Sequence, residues 1–128
     1  MSEPTELEQT ITAYFLSGAA NDVNIATRWW PYKELLLTID DKFQMAVRKF
    51  GVKARSATKP AAQAFIDHMI AKGGWTSKDN EFGGTMHQFQ LDAFRREVKE
   101  MQAANPILKE AAAGGETFWA DKFAAVTA

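Results

Sequence analysis

Five apolar residues, Leu36, Ile39, Phe43, Val47 and Phe50, recur at steps of three or four. That spacing puts them on one face of a 3.6-residue helix and breaks the two-residue period of a strand. Leu35 and Ala46 widen the stripe. A helix with so long an apolar face has to be covered by other elements, so the stripe implies a packed, mainly helical core. Pro31 suits the first helical turn, where a missing N–H costs nothing. Gly51 suits a C-terminal cap with positive φ, and Arg48 and Lys49 complement the helix dipole in the last turn. A strand at Leu35 to Ile39 is the competing reading, but the period continues to Phe50 and favours helix.

The remaining segments follow the same logic. Thr5-Glu6-Leu7-Glu8 reads as a capping box ahead of Leu7, Ile11, Tyr14 and Phe15, with Gly18 as the stop. Asn21 and Asp22 are turn or cap residues, and Val23 to Trp30 is read as a short helical turn. Val52 to Lys59 is polar and basic without a period and reads as a loop. Ser56 or Thr58 then caps a helix that carries Pro60 in its first turn and Ala61, Phe65 and Met69, with the neighbouring Ile66 and Ile70, on its apolar face. Gly73-Gly74 ends it. Trp75 to Gln90 reads either as a small β-hairpin or as an irregular loop. Leu91, Phe94, Val98 and Met101 mark another helix, whose exposed Asp92, Arg96 and Glu100 stand four apart as an ion-pair ladder. Asn105-Pro106 stops it. Ile107 to Ala113 and a segment with Trp119, Phe123 and Val126 read as two short helices. The expectation is a single compact domain over residues 1–128, a bundle of five or six helices, with α+β as the alternative if 75–90 is a hairpin.

The 128 residues are 46% hydrophobic, enough for a core at this length. There is no Cys, which removes disulfides, thiolate catalysis and Cys-ligated zinc. No apolar run reaches the roughly 18 residues of a membrane span, and the acidic start Met-Ser-Glu-Pro lacks an apolar signal-peptide region. A cytoplasmic protein is the expectation, without a membrane partner and without a cofactor. No sequence motif points to acyl transfer or a phosphate loop. The two histidines, His68 and His87, have no metal-ligand spacing, and packed or surface histidine is the reading that weighs most for each.

Two features remain that suggest partners. Trp29, Trp30 and Tyr32 surround Pro31, and a helix cannot bury all three on one face, so one Trp is expected in the core and the other exposed, packed on a loop such as that of Trp75, or at an interface, with core packing the reading that weighs most. Adjacent Arg28 makes an aromatic ligand pocket conceivable. The second feature is charge. Residues 42–66 hold six bases and no acid inside a chain of net charge −1. Arg48, Lys49, Lys53, Arg55 and Lys59 could hold phosphate, and a helix followed by a hairpin has a winged-helix look. Against this, the connecting loop is longer than the three or four residues of a helix-turn-helix, and the second helix offers base edges only Gln63, Asp67 and His68.

The size, lack of Cys, Ala-rich composition and lack of motifs fit a small bacterial or phage accessory protein. The leading expectation is a non-enzymatic protein that binds a protein partner or forms a homodimer through Trp29, Trp30 and Tyr32. Nucleic-acid binding through the basic segment is the alternative. A small enzyme or ligand binder using His68 or His87 with Trp75 and Asp79 is a second alternative.

Overall fold

The computed structural model describes residues 4–19 and 25–128. Within them, seven α-helices and three short strands follow one another. Helix α1 spans Glu6–Tyr14 and opens with the expected capping box: Thr5 Oγ1 accepts the Glu8 N–H, and the Glu8 carboxylate accepts the Thr5 N–H. Gly18 does not stop it. The chain widens instead into a π-helical turn over Phe15–Ala19, and Gln102 Nε2 donates to the Leu16 carbonyl at 2.6 Å. A wide turn leaves carbonyls poorly matched, and this side chain satisfies one of them. Asn21, Asp22, Val23 and Asn24 lie outside the described residues.

Trp29–Pro31 forms strand β1, not a helical turn. Pro31 accordingly precedes helix α2 as its extended N-cap residue, and α2 runs Tyr32–Val47. A single 3₁₀ turn, Arg48–Phe50, follows. Gly51, at φ 105°, then reverses the chain, a conformation closed to most L-residues. The expected loop at 52–59 contains a one-turn helix α3, Val52–Ser56, which buries Ala54 against the end of α2. Five residues are too few to show a period, so the sequence carries no signal for it.

Helix α4 spans Thr58–Ala71. Neither Ser56 nor Thr58 caps it. Thr58 is the first helical residue, and its hydroxyl donates to the buried Asp40 carboxylate of α2 at 2.5 Å, a second bond to which comes from Gln44. The hydroxyl joins two helices instead of closing one.

After Gly73-Gly74, strands β2 (Trp75–Asp79) and β3 (Thr85–Phe89) form the hairpin. Strand β3 is central in an antiparallel sheet of order β1-β3-β2, with Trp30 opposite His87 and Ser77 opposite the same histidine. Helices α5 (Leu91–Ala104), α6 (Pro106–Gly114) and α7 (Phe118–Val126) complete the chain. Asn105 Oδ1 accepts the N–H groups of Ile107 and Leu108, so the residue that ends α5 also caps α6.

The core confirms the central stripe and corrects its partner. Phe43 is fully buried. Its ring neighbours are Phe15 at 4.3 Å and Phe65 of α4 at 5.6 Å. Phe94 of α5 is reached only one ring further on, 6.0 Å from Phe65. The two most strongly periodic segments, those carrying Phe43 and Phe94–Val98, are expected from sequence to pack directly on each other; helix α4 instead takes that place against α2. A second aromatic group, Tyr14, Phe50, Trp119 and Phe123, closes the far end, with Phe50 stacked on Phe123 at 4.0 Å. The Asp92–Arg96–Glu100 ladder does not form. Among the described residues the ion pairs are Arg28–Glu34 and Lys122–Glu6, and His68 is hydrogen-bonded to Glu97. No described helix is long and apolar enough to cross a membrane.

Candidate interaction surfaces

The sheet decides where the three aromatic residues of 29–32 point. Successive strand residues face opposite sides. Trp30 turns inward, is buried, donates its indole N–H to the Ala26 carbonyl at 2.9 Å and carries the Arg28 guanidinium over its ring at 3.7 Å. Trp29 turns outward, half-buried, with the Lys78 ammonium 4.1 Å from its ring centroid. Trp29, Lys78 and Met86 line a shallow depression that reaches the hairpin turn at Asn80 and Glu81. Tyr32, at the start of α2, points its hydroxyl at Asp67 Oδ1 and donates to it at 2.7 Å. Burial first, and then this bond to a carboxylate, raise the phenol's pKa above its ordinary value.

His87 sits in the same corner. It is buried on the inner face of β3, 2.9 Å from the Ser77 hydroxyl and with its ring 5.9 Å from that of Tyr32. Burial lowers its pKa, and the Asp67 charge opposes the shift without cancelling it. A folded-state pKa below the unfolded value means that the unfolded chain binds the extra proton first. The stability this contributes is present above the ordinary value of 6.5 and is lost as pH falls towards the lower folded value. The urea midpoint is thus expected to fall between about pH 7.5 and about pH 5.5, and His87→Gln is expected to flatten that fall. An equal pH slope in both proteins would show that His87 titrates normally.

His68 is tied elsewhere. Its Nε2 lies 2.6 Å from Glu97 Oε1, a carboxylate whose side chain is 10% exposed. The hydrogen bond from His68 lowers the Glu97 pKa, against an opposing push from burial. His68 borders an apolar groove of about 290 Å³ lined by α1, α4 and the α5–α6 junction, including Glu8, Ala64, Phe65, Met101 and Ile107. The groove and its histidine–carboxylate edge could take an apolar side chain. Neither His68 nor His87 is bonded to Trp75 or Asp79. Trp75 is buried with its indole N–H unpartnered, and Asp79 is exposed at the end of β2. Among the described residues no three His, Asp or Glu side chains converge on a common point as metal ligands.

The five bases of the alternative reading all lie at the opposite end of α2, and all are exposed. Lys53 donates to the Thr127 carbonyl at 2.9 Å, and Lys49 lies over the rings of Tyr14 and Phe50. Glu116 lines a separate depression with Lys49, Tyr14, Phe50 and Trp119, so the positive field is diluted on the α7 side.

A residue that sequence reasoning passed over is the most exposed large apolar side chain described. Phe82 is 88% exposed at the hairpin tip. Its setting is built: Asn80 N–H donates to the Gly84 carbonyl at 2.9 Å, Gly83 N–H to the Asn80 carbonyl at 3.0 Å, and Phe82 N–H to Asn80 Oδ1 at 3.0 Å. Gly83 and Gly84, at φ 91° and 90°, supply the left-handed turn. The sequence signal was a lone Phe between a polar run and Gly-Gly, a place where core residues seldom lie.

No family model, no curated protein and no solved structure matches this chain.

Proposed function

We propose that the protein is a non-enzymatic interaction module that docks a protein partner through its hairpin end. The observation that carries this is Phe82, an apolar ring held out by a turn that does not need it. The turn requires Asn80 and the two glycines, and a polar residue at position 82 would serve it equally well. A ring on an ordered tip is preorganised, so binding costs little further ordering entropy. Aromatic residues so placed are the usual energetic centres of protein interfaces. Trp29 and Met86 on the outer face of the sheet extend the same surface.

Photo-crosslinking tests this. A benzophenone side chain placed at position 82 is expected to give discrete protein adducts in cells, and one placed at exposed position 92 is not. Absence of adducts at position 82 would overturn the reading.

A second reading, nucleic-acid binding, draws on the exposed Arg48, Lys49, Lys53, Arg55 and Lys59. The hairpin follows α4 in sequence as the wing of a winged helix would, but it lies at the other end of α2 from these bases, its tip carries Asp79 and Glu81, and α4 carries Asp67. Those carboxylates would repel phosphate brought to the hairpin and α4. A mobility shift that weakens steeply with salt, lost in Arg48→Glu and Arg55→Glu, would carry this reading instead.

A further inference from the structure

The hairpin tip and the basic corner are complementary in charge and in apolar content, and they lie at opposite ends of the molecule. The tip offers Phe82 flanked by Asp79 and Glu81, all exposed. At the other end, Met45 is 76% exposed and Val52 is 71% exposed, the largest exposures among the described large apolar residues after Phe82. Both belong to residues 42–66, which hold six bases and no acid; the nearest acid in sequence is Asp41, exposed one helical turn before Met45. The sheet adjoins the start of α2 and the corner adjoins its end. At 16 residues, α2 spans about 24 Å, so the two surfaces of one molecule do not meet.

We infer that the partner is a second copy of this chain: the acidic Phe82 tip of one molecule docks on the basic Met45–Val52 corner of the next. The inference rests on the proposed role of the hairpin as a docking element. Charge selects the corner over the apolar groove beside His68. The groove is lined by Glu8 and by no Lys or Arg, so the tip's carboxylates would meet like charge there. In the corner, each tip carboxylate meets a cation while the Phe82 ring covers Val52 and Met45. Gly51 sets this surface by reversing the chain, which folds α3 back on α2 and displays Val52 as the first residue of a helix. The contact is heterologous, because each molecule gives its tip and receives at its corner. Such contacts close into rings or grow into open chains rather than stopping at a two-fold dimer.

Sedimentation of the purified full chain over a concentration series tests this. The mean mass is expected to rise with concentration and to rise less at high salt, which screens the charge pairs. Phe82→Ser and Val52→Asp are each expected to weaken association by about tenfold or more. Both sites are exposed, so far-ultraviolet circular dichroism is expected to stay unchanged. The deciding step is mixing the two variants. Phe82→Ser retains a corner and Val52→Asp retains a tip, so the mixture is expected to form a 1:1 pair and nothing larger. A wild-type monomer at every concentration and salt would overturn the inference, as would a mixture that fails to pair. Loss of association in Ala64→Glu, with none in Val52→Asp, would place Phe82 in the groove and also overturn it. Crosslinks from position 82 to other proteins, with a monomeric purified chain, would leave the docking role standing and remove the second copy.

Discussion

Phe43→Ala is expected to lower the unfolding free energy by about 3–5 kcal/mol, the lost transfer energy plus the cavity left behind. Phe43 is fully buried and packed against Phe15 at 4.3 Å and Phe65 at 5.6 Å. Three elements lose a common contact at once: α2, α4 and the π-helical turn. Against a typical total of roughly 5–15 kcal/mol, the loss is a large share. Urea unfolding followed by circular dichroism measures it. Asp92→Ala, on the exposed face of α5, is the control and is expected to change stability by less than about 0.5 kcal/mol. Because Phe65 touches both Phe43 and Phe94, Phe43→Ala and Phe65→Ala should combine non-additively. Equal small effects from Phe43→Ala and Asp92→Ala would mean that the ring is not central to the core.

The packing around Phe43 also shows what the sequence could and could not disclose. The period and phase of α2 were legible, since Ile39, Phe43 and Val47 are all fully buried; only at its start does the burial differ, with Leu35 fully buried and Leu36 only in part. The partner was misjudged because two narrow stripes were paired with each other. Helix α4 buries Ala61, Ala62, Phe65, Ile66 and Met69, a band wide enough to cover a helix on each side. That width was present in the sequence and is the signal for a central helix.

The aromatic residues at 29–32 were read with a helical period. In β1 the period is two, which sends Trp30 inward to His87 and leaves Trp29 outside. Three residues cannot announce a strand by themselves, and β1 exists because β3 lies beside it. The His68–Glu97 bond is likewise invisible in sequence. Its partners are 29 positions apart on different helices, and only the docking of α4 and α5 brings them to 2.6 Å. The hairpin was half legible: the segment Trp75 to Gln90 fits a hairpin or an irregular loop in sequence, and only the pairing of β2 with β3 decides between them. The meaning of Phe82 within it required knowing that the turn leaves its ring uncovered.

Trp75 carries the second large effect, and it separates packing from hydrogen bonding. The side chain is 1% exposed, with its ring 5.5 Å from Phe89 and 5.7 Å from Phe94, so it joins the hairpin to α5. Trp75→Ala is expected to cost about 3–5 kcal/mol. Its indole N–H, however, has no hydrogen-bond partner. An unpaired buried donor costs about 1–3 kcal/mol in lost solvation, a penalty the folded state bears only while the tryptophan is present. Trp75→Phe removes that penalty and keeps most of the ring, so the cavity cost and the relieved donor oppose each other. The net change for Trp75→Phe is expected to stay within about 1 kcal/mol of wild type. Denaturant unfolding of the three proteins reads both numbers. A phenylalanine variant as unstable as the alanine variant would show that the indole N–H is satisfied in solution. The hairpin would then be held to α5 by that bond as well as by its rings.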